Sequence, residues 1–238
     1  MDYQRAFHNR AERYDYAIHT YEDALSEEFK TAVQMLDPKP NDVVVNIPAG
    51  GTPIHKYISD TLNVTVKSFE MLREHKQDDV TYCDITSIPL QDNSVDKIIS
   101  LASFHHFQED RQEVLMELRR ILKNSGVLVI GDVIEGSPQD TWLNVFVNKY
   151  NSNGHTGWFL RPDSTSKIEQ LGFKVESSKQ TYHWSFSKDE DAIDFVKNLF
   201  GLDMIPNDAF LLDSMKQYLH YDRNMFEWQL LYLKCMKV

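Results

Sequence analysis

The residues best suited to bind a ligand form a short turn at 46–53, with the sequence Asn-Ile-Pro-Ala-Gly-Gly-Thr-Pro. The turn follows a run of β-branched residues that predicts a buried strand. Paired glycines let a ligand approach the backbone closely because no Cβ stands in the way. A helix beginning after them would offer free N–H groups to an anion. Such a turn can also simply join a strand to a helix, and a short glycine turn alone is a weak signal.

Two acids follow at the ends of later predicted strands. Glu70 comes 24 positions after Asn46, and an acid about 20 residues beyond a glycine turn can accept hydrogen bonds from ribose hydroxyls. Asp84 follows the next strand, where its carboxylate could meet an adenine amino group while Ile85 packs on the ring. Either acid alone is more typical of a solvated turn. The glycine turn, Glu70 and Asp84 follow three predicted strands in sequence order, and together they favour a ligand site.

Histidine is the candidate base, because it titrates near neutral pH. His106, after the fourth strand, and His155, in a later loop, are the candidate catalytic residues, although a structural role is the commoner one for a histidine. We expect His105 to point away from His106 and Asp132 to cap a loop. The two cysteines and nine histidines show no metal-binding spacing, and neighbouring side chains diverge on a strand or helix. No metal is therefore expected.

These residues need a scaffold that brings strand ends together. Short β-branched or apolar runs alternate with helical patterns, and they lie at 43–47, 64–69, 80–83, 97–101 and 127–130. Strands buried on both faces and alternating with helices predict an α/β doubly wound sheet. The chain ends in a further strand pattern, preceded by helical stretches at about 188–200 and 207–220.

Length and composition limit the classes of function. The chain has 238 residues, 42% of them hydrophobic, and a net charge of -11. This composition excludes collagen, coiled-coil and disordered proteins, and its acidity disfavours nucleic acid and anionic membranes as partners. A charged N-terminus and the lack of a long apolar run predict a cytoplasmic protein without a signal peptide or membrane span. The oligomeric state stays open.

The motifs together resemble the class I S-adenosylmethionine-dependent methyltransferases. Residues 43–52 are similar to the glycine-rich first motif of that family, and residues 88–100 to its "LPF-dgsFD-vV-s" segment. Residues 104–107 resemble the "hH" that follows, and residues 118–126 the "-R-LkpGG-" segment. The resemblance implies a Rossmann-like seven-stranded sheet with an antiparallel last strand, and S-adenosyl-L-methionine as the cofactor.

The same resemblance implies which residues bind the cofactor. They are Tyr14, Asn46, Pro48, Ala49, Gly50, Glu70, Met71, Asp84, Ile85 and Ala102. The first motif departs from the family pattern of acid-x-Gly-x-Gly-x-Gly, since Asn46 stands at the acid and Pro48 at the first glycine. Proline has no N–H to donate. Three outcomes are therefore open. The site binds the cofactor with reduced or altered affinity, binds it without transferring methyl, or is vacant. The intact Glu70 and Asp84-Ile85 favour the first outcome.

The resemblance also predicts a division of the chain. Residues 1–40 form an N-terminal helical lid, 41–182 the cofactor-binding core, 183–225 a helical lid insertion and 226–238 the last strand. The insertion is similar to that of trans-aconitate and malonyl-carrier methyltransferases.

The resulting hypothesis is methyl transfer to a small molecule, with O-methylation of an acid or phenol favoured over N- or C-methylation and natural-product biosynthesis as the setting. The alternative is a non-methylating relative that binds the cofactor or a metabolite as a regulatory module. A nicotinamide oxidoreductase would need Gly-x-Gly-x-x-Gly, which this turn lacks.

Overall fold

The structure is a computed structural model that describes residues 10–50, 53–58, 62–73, 79–108, 111–161 and 163–238. Its strands are β1 (Val43–Asn46), β2 (Thr65–Glu70), β3 (Val80–Tyr82), β4 (Val95–Leu101), β5 (Leu122–Val133), β6 (Phe173–Ser185) and β7 (Met225–Lys237). They form one seven-stranded sheet in the order β3-β2-β1-β4-β5-β7-β6. β7 runs antiparallel to both of its neighbours, and the other pairings are parallel. The predicted doubly wound sheet with an antiparallel last strand is confirmed.

The helices cover both faces and one end of the sheet. They are α1 (Ala11–Thr20), α2 (Glu22–Leu36), α3 (Arg111–Ile121), α4 (Pro138–Thr141), α5 (Asn148–Tyr150), α6 (Ser164–Glu169), α7 (Asp189–Leu199) and α8 (Asp208–Leu219). A π-helix (Trp142–Val147) joins α4 to α5, and the part of the chain that the structure describes holds two 3-10 helices, Pro53–Tyr57 and Phe104–His106. Among the described residues, no helix is both long enough and apolar enough to cross a membrane.

The apolar runs of the central strands form the core because successive side chains point to opposite faces of a sheet. Val44 and Ile99 belong to the buried cluster on one face, and Val45 and Ile98 belong to the cluster on the other. All four side chains are almost fully buried. Burial on both faces is the reason that these runs are continuous rather than alternating.

The two segments predicted to cover the site pack against each other. Tyr16 and Tyr21, at the start of the chain, both donate hydrogen bonds to Asp194 of α7, at 3.1 and 2.8 Å. The Arg13 Nε donates to the side chain of Asn198 at 3.0 Å. α1 and α7 thus form one helical layer above the sheet.

One local prediction differs in the structure. A helix was expected directly after the glycine turn, but the described residues hold only the five-residue 3-10 helix Pro53–Tyr57. Gly51 and Thr52, at the end of the turn where N–H groups were expected to meet an anion, lie outside the described residues, as do residues 1–9 of the N-terminal segment.

Candidate functional site

A cavity opens where the carboxyl ends of β1, β4 and β5 meet. Its floor includes Asn46, Ala102 and Asp132, one from the end of each strand or the loop after it. Helices α1, α2 and α7 provide its roof through Tyr14, Glu28 and other residues. This is the position at which open α/β sheets bind ligands, because strand order reverses there.

The glycine turn forms one wall of the cavity. Asn46 is buried, and its side-chain amide donates to the carbonyl of Ala49 at 3.3 Å, so it braces the turn. Gly50 has a φ of 36°, and an added Cβ there would lie 3.8 Å from the ring of Tyr14. Tyr14 therefore lies over the turn. Pro48 and Ala49 line the same wall, and the Ile47–Pro48 peptide is cis.

Glu70 lies outside this cavity and is fully buried. Its Oε2 accepts from the backbone N–H of Gly50 at 3.1 Å, and its Oε1 accepts from the N–H groups of Met71 and Leu72 at 2.7 and 3.2 Å. The carboxylate thus ties the glycine turn to the end of β2. A ribose hydroxyl would have to share or replace these donors.

The other predicted adenosine contacts also lie away from the cavity. The Asp84 carboxylate accepts from the N–H and hydroxyl of Thr86 at 2.8 and 2.7 Å, which is the geometry of a local turn. Ile85 is buried in the core, and Met71 packs at its margin. Among the described residues, Tyr14, Asn46, Pro48, Ala49, Gly50 and Ala102 thus line the cavity, whereas Glu70, Met71, Asp84 and Ile85 do not.

Three histidines meet in the lining of the same cavity. His105 and His106 lie in the 3-10 helix after β4, and His155 lies in the loop after α5. The ring centroids of His105 and His106 are 4.0 Å apart, and each lies within 5.4 Å of the His155 ring. The expectation that His105 points away from its neighbour is wrong, because both side chains line the same cavity and Asp132 holds the His105 ring there.

Asp132 fixes the position of His105. Its carboxylate accepts from the backbone N–H of His105 and lies beside the ring Nδ1, both at 2.8 Å. It also accepts from the N–H of Val133 at 2.7 Å. Asp132 was predicted to cap a loop, but it is a fully buried residue of β5 that orients a histidine in the cavity.

The protonation of the other two histidines follows from their burial. Burial, followed by the neighbouring His105 and His155, lowers the pKa of His106 well below its ordinary value. Burial, followed by His105 and Arg10, does the same for the pKa of His155. Both imidazoles are neutral at physiological pH and can accept a proton or a cation, but a low pKa makes each a weak base.

Two charged residues in the cavity were missed from the sequence. Arg10 is buried, and its guanidinium Nη2 donates to the carbonyl of Leu199 at 3.1 Å. Glu28 is buried in α2 and accepts a hydrogen bond from the indole of Trp184. Burial raises the pKa of the Glu28 carboxyl to about 8, although the bond from Trp184 opposes the shift. These two residues thus add to the lining one cation and one carboxyl that is largely protonated near neutral pH.

Aromatic side chains form much of the remaining wall. Trp184 and Phe200 line the cavity, together with Trp228 of β7. The Trp184 and Trp228 rings stack with centroids 4.3 Å apart. Trp142 lies instead in the core, and Trp158 is 58% exposed. The cavity therefore combines an apolar wall with a small number of convergent polar groups, which is typical of small-molecule sites.

Comparisons with known sequences agree with this geometry. A methyltransferase domain family matches residues 57–130. A Mycolicibacterium smegmatis protein described as a probable S-adenosylmethionine-dependent methyltransferase is 28% identical over 117 residues, which cover 48% of this chain and 42% of that protein. The chain thus matches less than half the length of that relative.

Solved structures share the fold. A candidate methyltransferase from Bacillus halodurans has a TM-score of 0.61 at 18% identity, covering 89% of this chain and 99% of that one. Phosphoethanolamine N-methyltransferase 2 from Haemonchus contortus, in complex with phosphomonomethylethanolamine and S-adenosylhomocysteine, has a TM-score of 0.59 at 16% identity, covering 94% and 57%. The 4+2 cyclase SpnF has a TM-score of 0.55 at 14% identity, covering 89% and 80%. At these identities the likeness concerns the fold alone.

Proposed function

Since the chain belongs to the class I S-adenosylmethionine-dependent methyltransferases, we propose that it transfers a methyl group from S-adenosylmethionine to a small molecule held in the cavity. When bound, the cofactor supplies a methyl group already activated on a sulfonium. The observation that carries the proposal is the shared cavity, in which the glycine turn faces the histidines and the aromatic wall. Donor and acceptor would therefore meet in one enclosed space.

The methionine part of the cofactor fits the wall formed by Asn46, Pro48, Ala49 and Gly50, with Tyr14 above it. The ring of Tyr14 over a residue without a Cβ leaves room for a ligand to approach the backbone. Ala102, at the end of β4, lies across the cavity from Tyr14 in this assignment. On the adenosine side, Glu70 would receive the ribose, next to Met71, and Asp84 and Ile85 the adenine.

The acceptor that the cavity suits best is a small acid or phenol with an apolar body. The buried guanidinium of Arg10 favours a carboxylate, because a charged donor binds an anion strongly in a water-poor site. Stacked Trp184 and Trp228 suit an apolar or aromatic frame. A carboxylate needs no base to accept a methyl group, which suits a site whose histidines are weak bases.

The assigned roles of the chain follow from this arrangement. The protein must hold the acceptor oxygen in line with the methyl group and exclude water. The α1 and α7 layer performs the second task in our proposal. His106 and His155 are the residues assigned to contact the acceptor oxygen, and for a phenol either one would take its proton.

Transfer from methyl-labelled S-adenosylmethionine to a panel of small carboxylic acids, phenols and matched amines tests the proposal. We expect labelled methyl esters or ethers and little labelling of the amines. Arg10→Gln should raise KM for acids far more than KM for phenols. Equal labelling of acids and amines by the wild-type protein would contradict the assigned acceptor class while leaving methyl transfer intact.

The second candidate is a non-methylating protein that binds a metabolite in the same cavity. The contacts of Glu70 favour it, since three backbone N–H groups of the chain itself donate to this carboxylate. Binding of S-adenosylmethionine without turnover on any class of acceptor would support this candidate over methyl transfer.

A further inference from the structure

The histidine cluster contains the atoms that a metal ion requires. One ring nitrogen from each of His105, His106 and His155 lies within 4.8 Å of the other two. All three side chains are buried, each about 5% exposed. Three neutral imidazoles around one point are the ligand set of many catalytic zinc sites, in which water or substrate takes a fourth position.

A carboxylate that could orient one of these histidines toward a metal lies beside the cluster. A metal-binding histidine usually directs its other ring nitrogen to a carboxylate, which fixes the tautomer and the ring orientation. Asp132 lies 2.8 Å from the Nδ1 of His105, so a proton on this nitrogen would point to the carboxylate and leave Nε2 as the atom that would face a metal. The backbone carbonyl of His105 accepts from the N–H of Trp158 at 2.9 Å, which ties the loop that carries His155 to the same helix.

His155 provides an independent sign of a ligand. Its Nδ1 is buried and has no hydrogen-bond partner within the described part of the chain. Leaving such a polar atom unsatisfied destabilises a protein. The loop is nevertheless held in place, because the backbone N–H of His155 donates to the side chain of Asn148 at 2.8 Å. A cation between the three rings would satisfy the nitrogen where it now lies.

We propose that His105, His106 and His155 bind one divalent first-row transition-metal ion, with Zn²⁺ as the reference ion, and leave a coordination position open to the cavity for an oxygen anion. Imidazole ligands suit Zn, Cu, Fe and Ni rather than Mg or Ca. Zn–N bonds of about 2.0–2.1 Å bring tetrahedral nitrogens to roughly 3.3 Å from one another. The side chains must therefore close inward slightly when the ion binds.

With the ion bound, His106 and His155 would act on the acceptor oxygen through the metal rather than as bases. The ion and Arg10 would then act on the same ligand. Both belong to the lining of one cavity, and two positive groups converging there select a carboxylate or phenolate over an amine. Only the statement that this oxygen anion is the methyl acceptor rests on the proposed function. Metal binding itself stands apart from methyl transfer.

Metal binding is tested on the whole chain after treatment with a chelator. We expect isothermal titration with ZnCl₂ to give one ion per chain. We expect Co²⁺ to produce the ligand-field absorption of a four-coordinate site with three nitrogen ligands and one oxygen ligand. His155→Ala should weaken binding at least 100-fold, and Asp132→Asn by about 10–100-fold, the usual loss for a second-shell carboxylate.

The control is His183→Ala, because His183 is an exposed histidine of β6 that faces Glu227 at 3.7 Å. It should bind Zn²⁺ as the wild type does. A wild-type protein that binds no ion, or a folded His105/His106/His155 triple alanine variant that keeps the stoichiometry, would overturn the proposal. Should the triple variant fail to fold, the wild-type Co²⁺ spectrum decides, since a spectrum of six-coordinate Co²⁺ would equally refute it. Methyl transfer that persists in the chelator-treated enzyme would leave the proposed function standing.

Discussion

The Asp132 carboxylate engages His105 twice, through the backbone N–H and through the ring Nδ1, each at 2.8 Å. One residue of β5 thus sets both the start of the 3-10 helix after β4 and the orientation of its first histidine. The two strands are neighbours in the sheet. The position of the histidine cluster is therefore a direct consequence of strand order.

Replacing this carboxylate should destabilise the protein. Asp132→Asn keeps the shape of the side chain but removes the charge that the His105 ring and two backbone N–H groups require. Hydrogen bonds to a charged group contribute about 1.5–3 kcal/mol, so we expect a loss of that order in the free energy of unfolding, measured by urea denaturation of chelator-treated protein. An unchanged midpoint would contradict this role.

Glu28 should make stability depend on pH. Its pKa is raised from 4.5 to about 8, so between these values the folded state holds a proton that the unfolded state has released. Stability must then fall as pH rises through this window, by up to about 1.4 kcal/mol per pH unit. Glu28→Gln should remove this slope, whereas Glu27→Gln, on an exposed side chain, should keep it. If the free energy of unfolding of wild type and of Glu28→Gln depended on pH in the same way, the raised pKa of the buried Glu28 carboxyl would be contradicted.

Gly201 makes room for Arg10. A Cβ at Gly201, whose φ is 62°, would lie 2.1 Å from the Nε of Arg10. Gly136 is the matched control, because its φ of 76° carries the same backbone strain but nothing lies within 4 Å of its Cβ. Left-handed strain costs roughly 1–2 kcal/mol at either glycine. We expect thermal unfolding to show a clearly larger loss for Gly201→Ala than for Gly136→Ala, and equal losses would refute the contact.

Replacing Glu70 should reduce the stability of the protein much more than replacing Asp84. Glu70→Ala leaves the N–H groups of Gly50, Met71 and Leu72 without their acceptor, so we expect a loss of about 1–3 kcal/mol in stability together with weaker cofactor binding. Asp84→Ala removes only contacts to Thr86 and should alter stability by at most about 0.5 kcal/mol. Denaturation and titration of both variants check this. A stable Glu70→Ala protein would contradict the bracing role.

The sheet was predictable because its core strands leave few alternatives. Runs such as that at 97–101 are too short for a helix and too apolar for a surface, so burial on both faces follows from the sequence. The position of the glycine turn followed equally, since a turn after β1 must lie at the carboxyl edge. The 3-10 helix after this turn could not be predicted, because it depends on packing against α2 and the local sequence gives no sign of that packing.

The polar part of the site was harder to predict, since long-range contacts determine it. His105 is oriented by Asp132, which is 27 positions away in the sequence. The sequence near either residue does not indicate that the two side chains interact. For Glu28, one feature of the sequence could have predicted its burial. It lies on the same helical stripe as Leu25, Ala32 and Leu36, and a carboxylate on an apolar stripe indicates either a buried partner or a functional role.

Isothermal titration of the intact protein with S-adenosylmethionine tests the central claim most directly. The account predicts saturable binding of one cofactor per chain, weakened by Glu70→Ala and unaffected by His183→Ala. No heat of binding at millimolar cofactor, from protein shown to be folded, would contradict the assignment of the glycine turn and of methyl transfer together.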